Sequence, residues 1–401
     1  MATATIKCPN CGGGLQFNPE LQKSKCRYCL SEFTAQDLAA VLQAIEQRAE
    51  RKRAEAKAAE AAAAAAATPE EAEAARLTAA AKAETAAAIS AEASELSEAT
   101  EQAAAEEASL LQTAAGYVCD SCGAEVMTDA TTSATFCYYC HNPILITDRL
   151  TGENRPTRII PFTYDREKAE AAFLKWARSR RFVPKSFYSS SQLEKITGVY
   201  LPFWMANYQA EIDIAGKGER VRTWQTGQVQ NTETSIYEIA RQGTIDINHI
   251  HEAAIRKFDR KLIDSLSPYD ERKAAPFSMS YLSGFFAEKF EIPRQEVEPI
   301  IENQARNYTN VLVQEVIGGF DKVDLERNQV DLKLKGWDYA LMPAWMLTYD
   351  YRGKKYIYAV NGQTGRSFGE LPVDNKKLSL ASLIIGLIVL LLVLVGGYYI
   401  W

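Results

Sequence analysis

The sequence has few of the residues and motifs from which most active sites are built. It holds only three histidines, and it lacks a G-x-x-x-x-G-K-[ST] loop, which excludes a P-loop ATPase or helicase. The G-x-S-x-G and H-E-x-x-H motifs of hydrolases and zinc proteases are also missing. Because nucleophilic chemistry has few candidate residues, we expect a protein that is not an enzyme.

An excess of positive charge is missing as well. The chain carries 45 basic and 51 acidic residues, which excludes a broadly cationic nucleic-acid binder but not a local basic patch. Residues 35–115 contain 15 of the acidic and 7 of the basic residues, so the remainder is close to neutral. A nucleic-acid partner is therefore unfavoured. The length of 401 residues suggests two or three domains.

Residues 378–400 form one uncharged apolar run at the C-terminus. As a helix this run spans ~34 Å, enough to cross the ~30 Å hydrocarbon core of a bilayer. Two tyrosines and a tryptophan lie at its far end, and Lys376 and Lys377 flank its near end. We therefore expect a single-pass, tail-anchored protein of the cell membrane, with residues 1–377 in the cytoplasm.

All eight cysteines occur in C-x2-C pairs, arranged as two modules with 14 residues between the pairs of each module. Each pair places two thiolates on one tight turn, and two such turns complete a tetrahedral zinc shell at ~2.3 Å. Both shells are closed, which predicts two structural Zn2+ sites rather than catalytic ones. The predicted ligands are Cys8, Cys11, Cys26, Cys29, Cys119, Cys122, Cys137 and Cys140.

Three other interpretations of the cysteines stay open at this stage. A disulfide framework would need an exported N-terminus, and redox C-x-x-C chemistry would not need four matched pairs. An iron site of the rubredoxin or iron–sulfur kind uses the same ligands. His141 follows Cys140 directly, and we interpret it as a surface residue because four thiolates already fill the shell.

The Ala- and Glu-rich segment 35–115 predicts a long helical arm. Thr34 and Asp37 form a helix-start signature, and Thr68-Pro69 restarts the signal before a stop at Gly116. We expect two helices that pack as an antiparallel, coiled-coil-like hairpin. Such an arm either docks onto another helical protein or serves as a solvated spacer.

Residues 155–374 predict an α+β domain with two related strand-rich halves. The motif P-x-W-M-x-x-Y occurs at 202–208 and again at 343–349, where core packing is a better interpretation than a ligand groove. Residues 356–365 predict strand–turn–strand, and helices are expected at about 165–181 and 294–306. His249 and His251 lie two residues apart on a predicted strand but have no evident metal-ligating partner.

A cluster of basic side chains at 175–185 is the densest in this domain. It is either a plain solvated face or a surface that touches anionic lipid. The predicted architecture is thus multidomain, in five parts: zinc ribbon 1–34, helical arm 35–115, zinc ribbon 116–150, α+β domain 155–374 and transmembrane helix 378–400.

An ordered set of short motifs resembles a known family. The motifs are Ile160-Pro-Phe162, Gly198-Val-Tyr-Leu-Pro-Phe-Trp204, Ser267-Pro-Tyr-Asp270, Tyr281-Leu-Ser-Gly-Phe285, Leu341-Met-Pro-Ala-Trp345 and Val360-Asn-Gly-Gln-Thr-Gly365. With a zinc ribbon and a C-terminal span, they resemble bacterial membrane-anchored proteins with transcription-factor-IIB-type zinc ribbons, which are often labelled replication-restart helicases.

The resemblance implies a membrane platform that recruits cytoplasmic proteins in envelope stress. The implied partners are phage-shock-type coat proteins or flotillin-like proteins, and the carried-over residues are the ligands Cys119, Cys122, Cys137 and Cys140. We therefore expect a non-catalytic, membrane-tethered scaffold or adaptor. The alternative is a membrane-tethered zinc-ribbon protein that binds nucleic acid in replication or transcription, for which a helicase label lacks supporting motifs.

Overall fold

A computed structural model describes residues 3–66 and 115–400 of the chain. These residues divide into two compact units. The ribbon unit comprises the chain up to Arg155 together with the inserted segment Ser278–Lys289, and the sheet unit comprises Pro156–Phe277 and the chain from Phe290 onward. Sequence analysis had placed segment 278–289 within the α+β region, whereas in the fold it clusters with the cysteine modules.

The ribbon unit consists of short antiparallel strands and one helix. β2, β3 and β4 form the sheet of the first ribbon, β5 pairs with β6, and β7 pairs with β8 in the second ribbon. The elements are β1 (Thr3–Ala4), β2 (Leu15–Asn18), β3 (Lys23–Cys26), β4 (Glu32–Phe33), α1 (Ala39–Ala66), β5 (Ala115–Val118), β6 (Glu125–Thr128), β7 (Thr132–Phe136), β8 (Pro143–Ile146) and β13 (Phe286–Glu288).

The two ribbons pack together within this unit. β1 adds to the free edge of β8, with Thr3 opposite Ile146. The Thr3 hydroxyl donates to the carbonyl of Val118 at 2.7 Å, and the Thr5 hydroxyl donates to that of Pro143 at 3.1 Å. The first residues of the chain therefore belong to the sheet of the second ribbon, although the 81 residues of segment 35–115 separate the two modules.

The inserted segment Ser278–Lys289 contacts both ribbons. Its strand β13 pairs with β7 of the second ribbon. In the first ribbon, the Phe17 ring packs against Tyr281 and Phe285, at 5.1 and 6.5 Å between ring centroids. The Phe17 N–H also donates to the Ser283 carbonyl at 2.8 Å. The motif 281–285, one of those that carry the family resemblance, thus has a packing role.

The predicted helix-start signature lies in the turn that precedes α1, and the helix itself begins at Ala39. The Thr34 N–H donates to the Asp37 carboxylate at 2.7 Å, and the Asp37 N–H donates back to the Thr34 hydroxyl at 3.2 Å, which is a reciprocal capping box. Leu38, Leu42 and Ala49 are buried. The predicted second helix of the arm lies outside the described residues, so the hairpin stays a prediction.

The sheet unit is built around very long antiparallel strands. β10 pairs with β11 on one side and β14 on the other, β15 and β16 follow β14, and β9 pairs with β12 and runs parallel to β14. The elements are β9 (Arg158–Ile159), α2 (Arg166–Arg178), α3 (Ser190–Leu193), β10 (Thr197–Thr226), β11 (Val229–Ala253), α4 (Arg260–Leu266), β12 (Ala275–Pro276), α5 (Arg294–Val316), β14 (Lys322–Tyr351), β15 (Lys354–Asn361), β16 (Ser367–Gly369) and α6 (Asn375–Ile400).

The internal repeat forms a local pseudo-twofold arrangement between β10 and β14. Leu201 lies opposite Met342, and these are equivalent positions of the two motif copies. The two motif tryptophans are also used alike, because Trp204 Nε1 donates to the Ile292 carbonyl at 2.9 Å and Trp345 Nε1 donates to that of Tyr164 at 2.7 Å. The motif rings therefore pack in the core, as predicted.

One face of the long strands is apolar, and the other is charged. Ile212 and Ile214 of β10 pack with Val313 and Ile317 of the α5 segment. The opposite face carries cross-strand ion pairs, of which Asp213–Arg327 at 2.9 Å is typical. Such exposed pairs contribute little stability each, so burial beneath α5 is the main term holding the strands.

Several local predictions for this unit are confirmed. Residues 354–369 form strand, turn and strand, and the Asn361 carboxamide oxygen accepts from the N–H groups of Gln363 and Thr364 in that turn. The predicted helix at 165–181 is α2. The helix predicted at 294–306 continues to Val316, because its buried face extends through Thr309 and Val313.

Candidate metal centres

Each predicted cysteine set converges on one point. In both groups, the four sulfur atoms lie within 4.8 Å of one another. Sγ of Cys11 and Sγ of Cys26 are 3.4 Å apart, and Sγ of Cys119 and Sγ of Cys140 are 3.8 Å apart. All eight cysteines are free thiols.

These spacings fit a tetrahedral metal ion. A tetrahedron with metal–sulfur bonds of about 2.3 Å has sulfur–sulfur edges of about 3.8 Å. The observed separations of 3.4–3.8 Å lie at that edge or slightly below it. Either group can therefore hold one metal ion through four sulfurs, a donor set compatible with zinc.

The backbone builds all four C-x2-C turns in the same way. In each turn, the residue after the second cysteine donates its N–H to the carbonyl of the first, as Gly12 does to Cys8 at 2.9 Å and His141 does to Cys137 at 2.9 Å. That residue is always left-handed. Its φ is +76° at Gly12, +59° at Leu30, +75° at Gly123 and +56° at His141.

This geometry gives His141 a definite position. Its side chain is exposed and belongs to neither group of sulfurs, in agreement with the sequence interpretation. Its backbone, however, occupies a conformation that suits glycine, which the first turn of each module uses. The sequence showed the glycines but not that Leu30 and His141 are their conformational equivalents.

The same turns lower the pKa of some thiols. Hydrogen bonds from the Ser31 hydroxyl and N–H lower the pKa of Cys29 to about 6. Burial raises the pKa of Cys137, but the N–H groups of Cys140 and Tyr139 outweigh it and bring the value to about 7. Burial raises the pKa of Cys140, in the same group as Cys137, so the thiols of one group differ in how readily they form the metal-binding thiolate.

The second turn of each ribbon also presents exposed apolar side chains. Tyr28, between the ligands Cys26 and Cys29, is 74% exposed. Tyr138 and Tyr139, between Cys137 and Cys140, are 71% and 73% exposed. These three tyrosines, which we call the knuckle tyrosines, are held on turns fixed by the ligands, and sequence analysis did not single them out.

The remaining histidines lie in the sheet unit. His249 has φ +61° at an irregularity in the β10–β11 pairing, where its N–H donates to Asn207. His251 Nδ1 lies 3.0 Å from a Glu271 carboxylate oxygen, and its Nε2 lies 3.4 Å from the Ser267 hydroxyl. Sequence analysis missed Glu271 because it lies 20 residues away on a different element.

The Ser267–His251–Glu271 arrangement has the order of a hydrolytic triad, but one usual oxyanion donor is missing from it. In such enzymes the N–H of the residue after the serine helps to stabilise the oxyanion. Here that residue is Pro268, which has no N–H, and the Ser267 N–H already donates to the Asp264 carbonyl. The His251 imidazole instead acts as a link between β11 and the segment at 267–271.

The other short motifs that carry the family resemblance meet around the start of the turn at 361–365. The Asn361 amide donates to the Leu266 carbonyl at 2.9 Å, and the Tyr269 hydroxyl donates to that of Pro343 at 3.2 Å. Phe162 packs against Tyr200 at 5.0 Å between ring centroids. These motif residues thus have packing and capping roles in the sheet unit.

One described helix, α6, is long and apolar enough to cross a membrane. The qualifying window is Asn375–Leu392, and no part of it is buried against the protein. The window overlaps the predicted span 378–400.

Comparison with known proteins identifies one curated relative. The Bacillus subtilis (strain 168) protein YdjG, described as uncharacterised, is 32% identical to the chain over 235 residues, or 59% of this chain and 69% of YdjG. No family model matches the chain, and no solved structure matches it. The chain belongs to the same family as YdjG.

Proposed function

We propose that this protein is a non-catalytic, membrane-tethered zinc-ribbon scaffold that recruits cytoplasmic proteins to the cell membrane. The observation that carries the proposal is the pair of four-thiol groups in one packed ribbon unit. Four sulfurs complete the tetrahedral shell of a zinc ion, which leaves no position for a catalytic water. Zinc at these positions would stabilise a surface rather than activate a substrate.

The knuckle tyrosines support a docking role for that surface. Tyrosine supplies a large contact area at low conformational cost, and it is enriched at protein interfaces. Tyr28, Tyr138 and Tyr139 are exposed on turns whose backbone is fixed by adjacent ligands, so they are preorganised for contact. In this proposal, the partner is a cytoplasmic protein of the coat-like or flotillin-like kind that the family resemblance implies.

Charge around the first ribbon supports a protein rather than a nucleic acid as partner. The Arg27 guanidinium donates twice to the Gln16 carboxamide oxygen, at 2.9 and 2.7 Å. Lys23 pairs with Glu32 at 3.6 Å. Lys23 is therefore paired with an acidic group and the Arg27 side chain is held in place by Gln16, whereas a nucleic-acid surface needs several free cations.

The structure shapes the experiment that tests this proposal. A deletion of residues 1–146 would remove the strand partner of β13, so point variants are preferable. The tagged full-length protein is crosslinked in its own cells, extracted from membranes and compared with a Tyr28→Ala/Tyr138→Ala/Tyr139→Ala variant. We expect the variant to keep two zinc ions per chain and to lose at least tenfold of its specifically crosslinked partner, because central tyrosines contribute 2 kcal/mol or more.

Tyr308→Ala is the matched control, because Tyr308 is 54% exposed but lies on α5 of the sheet unit. It should keep the partner recovered with the unaltered chain. Equal recovery with all three proteins would remove the knuckle tyrosines from the interface. Recovery of nuclease-sensitive nucleic acid with replication or transcription proteins would overturn the scaffold proposal.

A further inference from the structure

The sheet unit holds the start of α6 firmly. The Asp374 N–H donates to the Phe182 carbonyl at 2.7 Å, and the Lys377 ammonium donates to the Val183 carbonyl at 2.7 Å. The Asp374 carboxylate accepts from the Lys376 N–H at 3.1 Å, which caps the first turn of α6. The loop after α2 and the apolar helix therefore leave the sheet unit at the same place.

The β14–β15 turn also lies next to the start of α6. Tyr351, Arg352, Lys354 and Tyr356 line one cavity together with Asn375, the first residue of α6. β14 begins at Lys322 and ends at Tyr351, so this turn is the end of the long sheet nearest to α6. Three segments that are distant in sequence thus meet where the apolar span begins.

Several basic side chains at this junction are exposed. The exposed basic residues are Arg178, Arg180, Arg181, Arg352, Lys354, Lys355 and Lys376. Three carboxylates lie nearby: Glu370 pairs with Lys354 at 3.4 Å, Asp374 caps α6, and Asp350 lies opposite Lys355 in the β14–β15 pairing. Among the described residues, the Arg180 and Arg181 side chains make no ion pair. The junction therefore keeps a local positive charge in a chain whose net charge is −6.

We propose that this cluster, the basic collar, binds the headgroups of anionic lipids in the membrane that α6 spans. Charge complementarity and position support this occupant, because the collar lies beside the point where α6 would enter the bilayer. Exposed Val373 and Leu378 mark that entry, and basic residues collect on the cytoplasmic side of a span. The inference rests on the membrane anchoring in the proposed function and goes beyond it.

The collar would hold the sheet unit against the membrane surface, in addition to the attachment that α6 provides. A basic residue near an anionic leaflet changes binding by about fivefold, which corresponds to about 1 kcal/mol. The effect decays over a Debye length of about 8 Å at physiological salt. Arg180 and Arg181 directly precede Phe182, which is hydrogen-bonded to Asp374, and Arg352 lines a cavity with Asn375, so they would act at that range.

The test uses the full-length protein in bilayers of phosphatidylcholine with a minor fraction of phosphatidylglycerol. Spin-labelled versions of each lipid report, by electron paramagnetic resonance, the ratio of their association constants with the protein. We expect a ratio of at least about two in favour of phosphatidylglycerol at low salt. It should fall towards one in about 1 M salt, where the Debye length is about 3 Å.

The variant Arg180→Gln/Arg181→Gln/Arg352→Gln should bring the ratio close to one at low salt. Its matched control is Arg222→Gln/Arg241→Gln/Lys335→Gln. This variant removes the same charge from strand positions that lie at least about 50 Å along the sheet from the β14–β15 turn. The control should keep the unaltered ratio. Equal ratios in the two variants, or a ratio of one in the unaltered chain, would overturn the collar.

An alkaline wash of native membranes separates this inference from the one beneath it. A chain that stays in the washed membranes but shows no lipid preference disproves the collar alone. A chain that is washed out disproves the anchoring, and with it both proposals. Zinc content measured on each variant verifies that the ribbon unit is still folded.

Discussion

The left-handed residue that closes each C-x2-C turn gives a sharp prediction about metal affinity. In the second ribbon, Gly123 and His141 occupy the same conformation, with φ +75° and +56°. A side chain in this region costs about 1–2 kcal/mol. Glycine avoids that cost, but its greater conformational freedom in the unfolded chain lowers the stability of the fold by about 0.4–1 kcal/mol. The net change expected from His141→Gly is therefore about 0.5–1 kcal/mol of stabilisation.

The opposite change is expected at Gly123. A Cβ added there meets no atom within 4 Å, so Gly123→Ala introduces only the backbone cost. Because folding of a small ribbon and metal binding are linked, each net change appears in the zinc affinity. A change of about 0.7 kcal/mol is about threefold. His141→Gly should therefore bind zinc about threefold more tightly, and Gly123→Ala about threefold more weakly.

Competition with a calibrated zinc chelator, on the full-length chain, measures these affinities. Only one of the two zinc equivalents should shift in each variant, because the other ribbon is unchanged. Gly243→Ala is the control, since its Cβ also meets no atom within 4 Å and its φ is not positive. Weaker binding by His141→Gly, or no effect of Gly123→Ala, would refute the argument that these backbone conformations persist in the metal-bound ribbon.

Three further predictions test separate parts of the molecule. Cys119→Ser should reduce the zinc content of the purified chain from about two ions to about one by elemental analysis, while Ser121→Ala should leave it unchanged. Gly284→Ala should destabilise the ribbon unit by about 1–3 kcal/mol in denaturant melts, because φ is +99° and the new Cβ would lie 2.5 Å from the Gln16 side chain. Adding Gln16→Ala should restore only part of the lost stability, because it removes the clash but not the backbone strain. Arg260→Ala should cost about 2 kcal/mol at pH 7, because among the described residues it leaves the buried Glu252 carboxylate with only the Gln304 hydrogen bond, at 3.0 Å. Burial already raises the pKa of Glu252 above its ordinary 4.5, so stability from this group is present below about pH 4.5 and is lost as pH rises through the folded-state pKa. The free energy of unfolding lost in Arg260→Ala should therefore be smaller at pH 5 than at pH 7. Glu252→Gln should abolish that pH dependence.

The sequence by itself determined the features whose physics is local. The two cysteine groups follow from spacing, because each C-x2-C turn is closed by hydrogen bonds within six residues. The Thr34–Asp37 capping box and the turn at Asn361 are equally short-range. The apolar run of α6 also needs no partner to be recognised, since its length and composition alone match a bilayer.

Tertiary structure alone decided which distant segments share a surface. β1 could join β8, and segment 278–289 could join both ribbons, only through pairings across more than 100 residues. The basic collar and the Glu271 partner of His251 also depend on contacts between separate elements. Periodicity along one chain records which face of an element is buried, but it does not record which other element covers that face. That choice depends on register and packing across the whole fold.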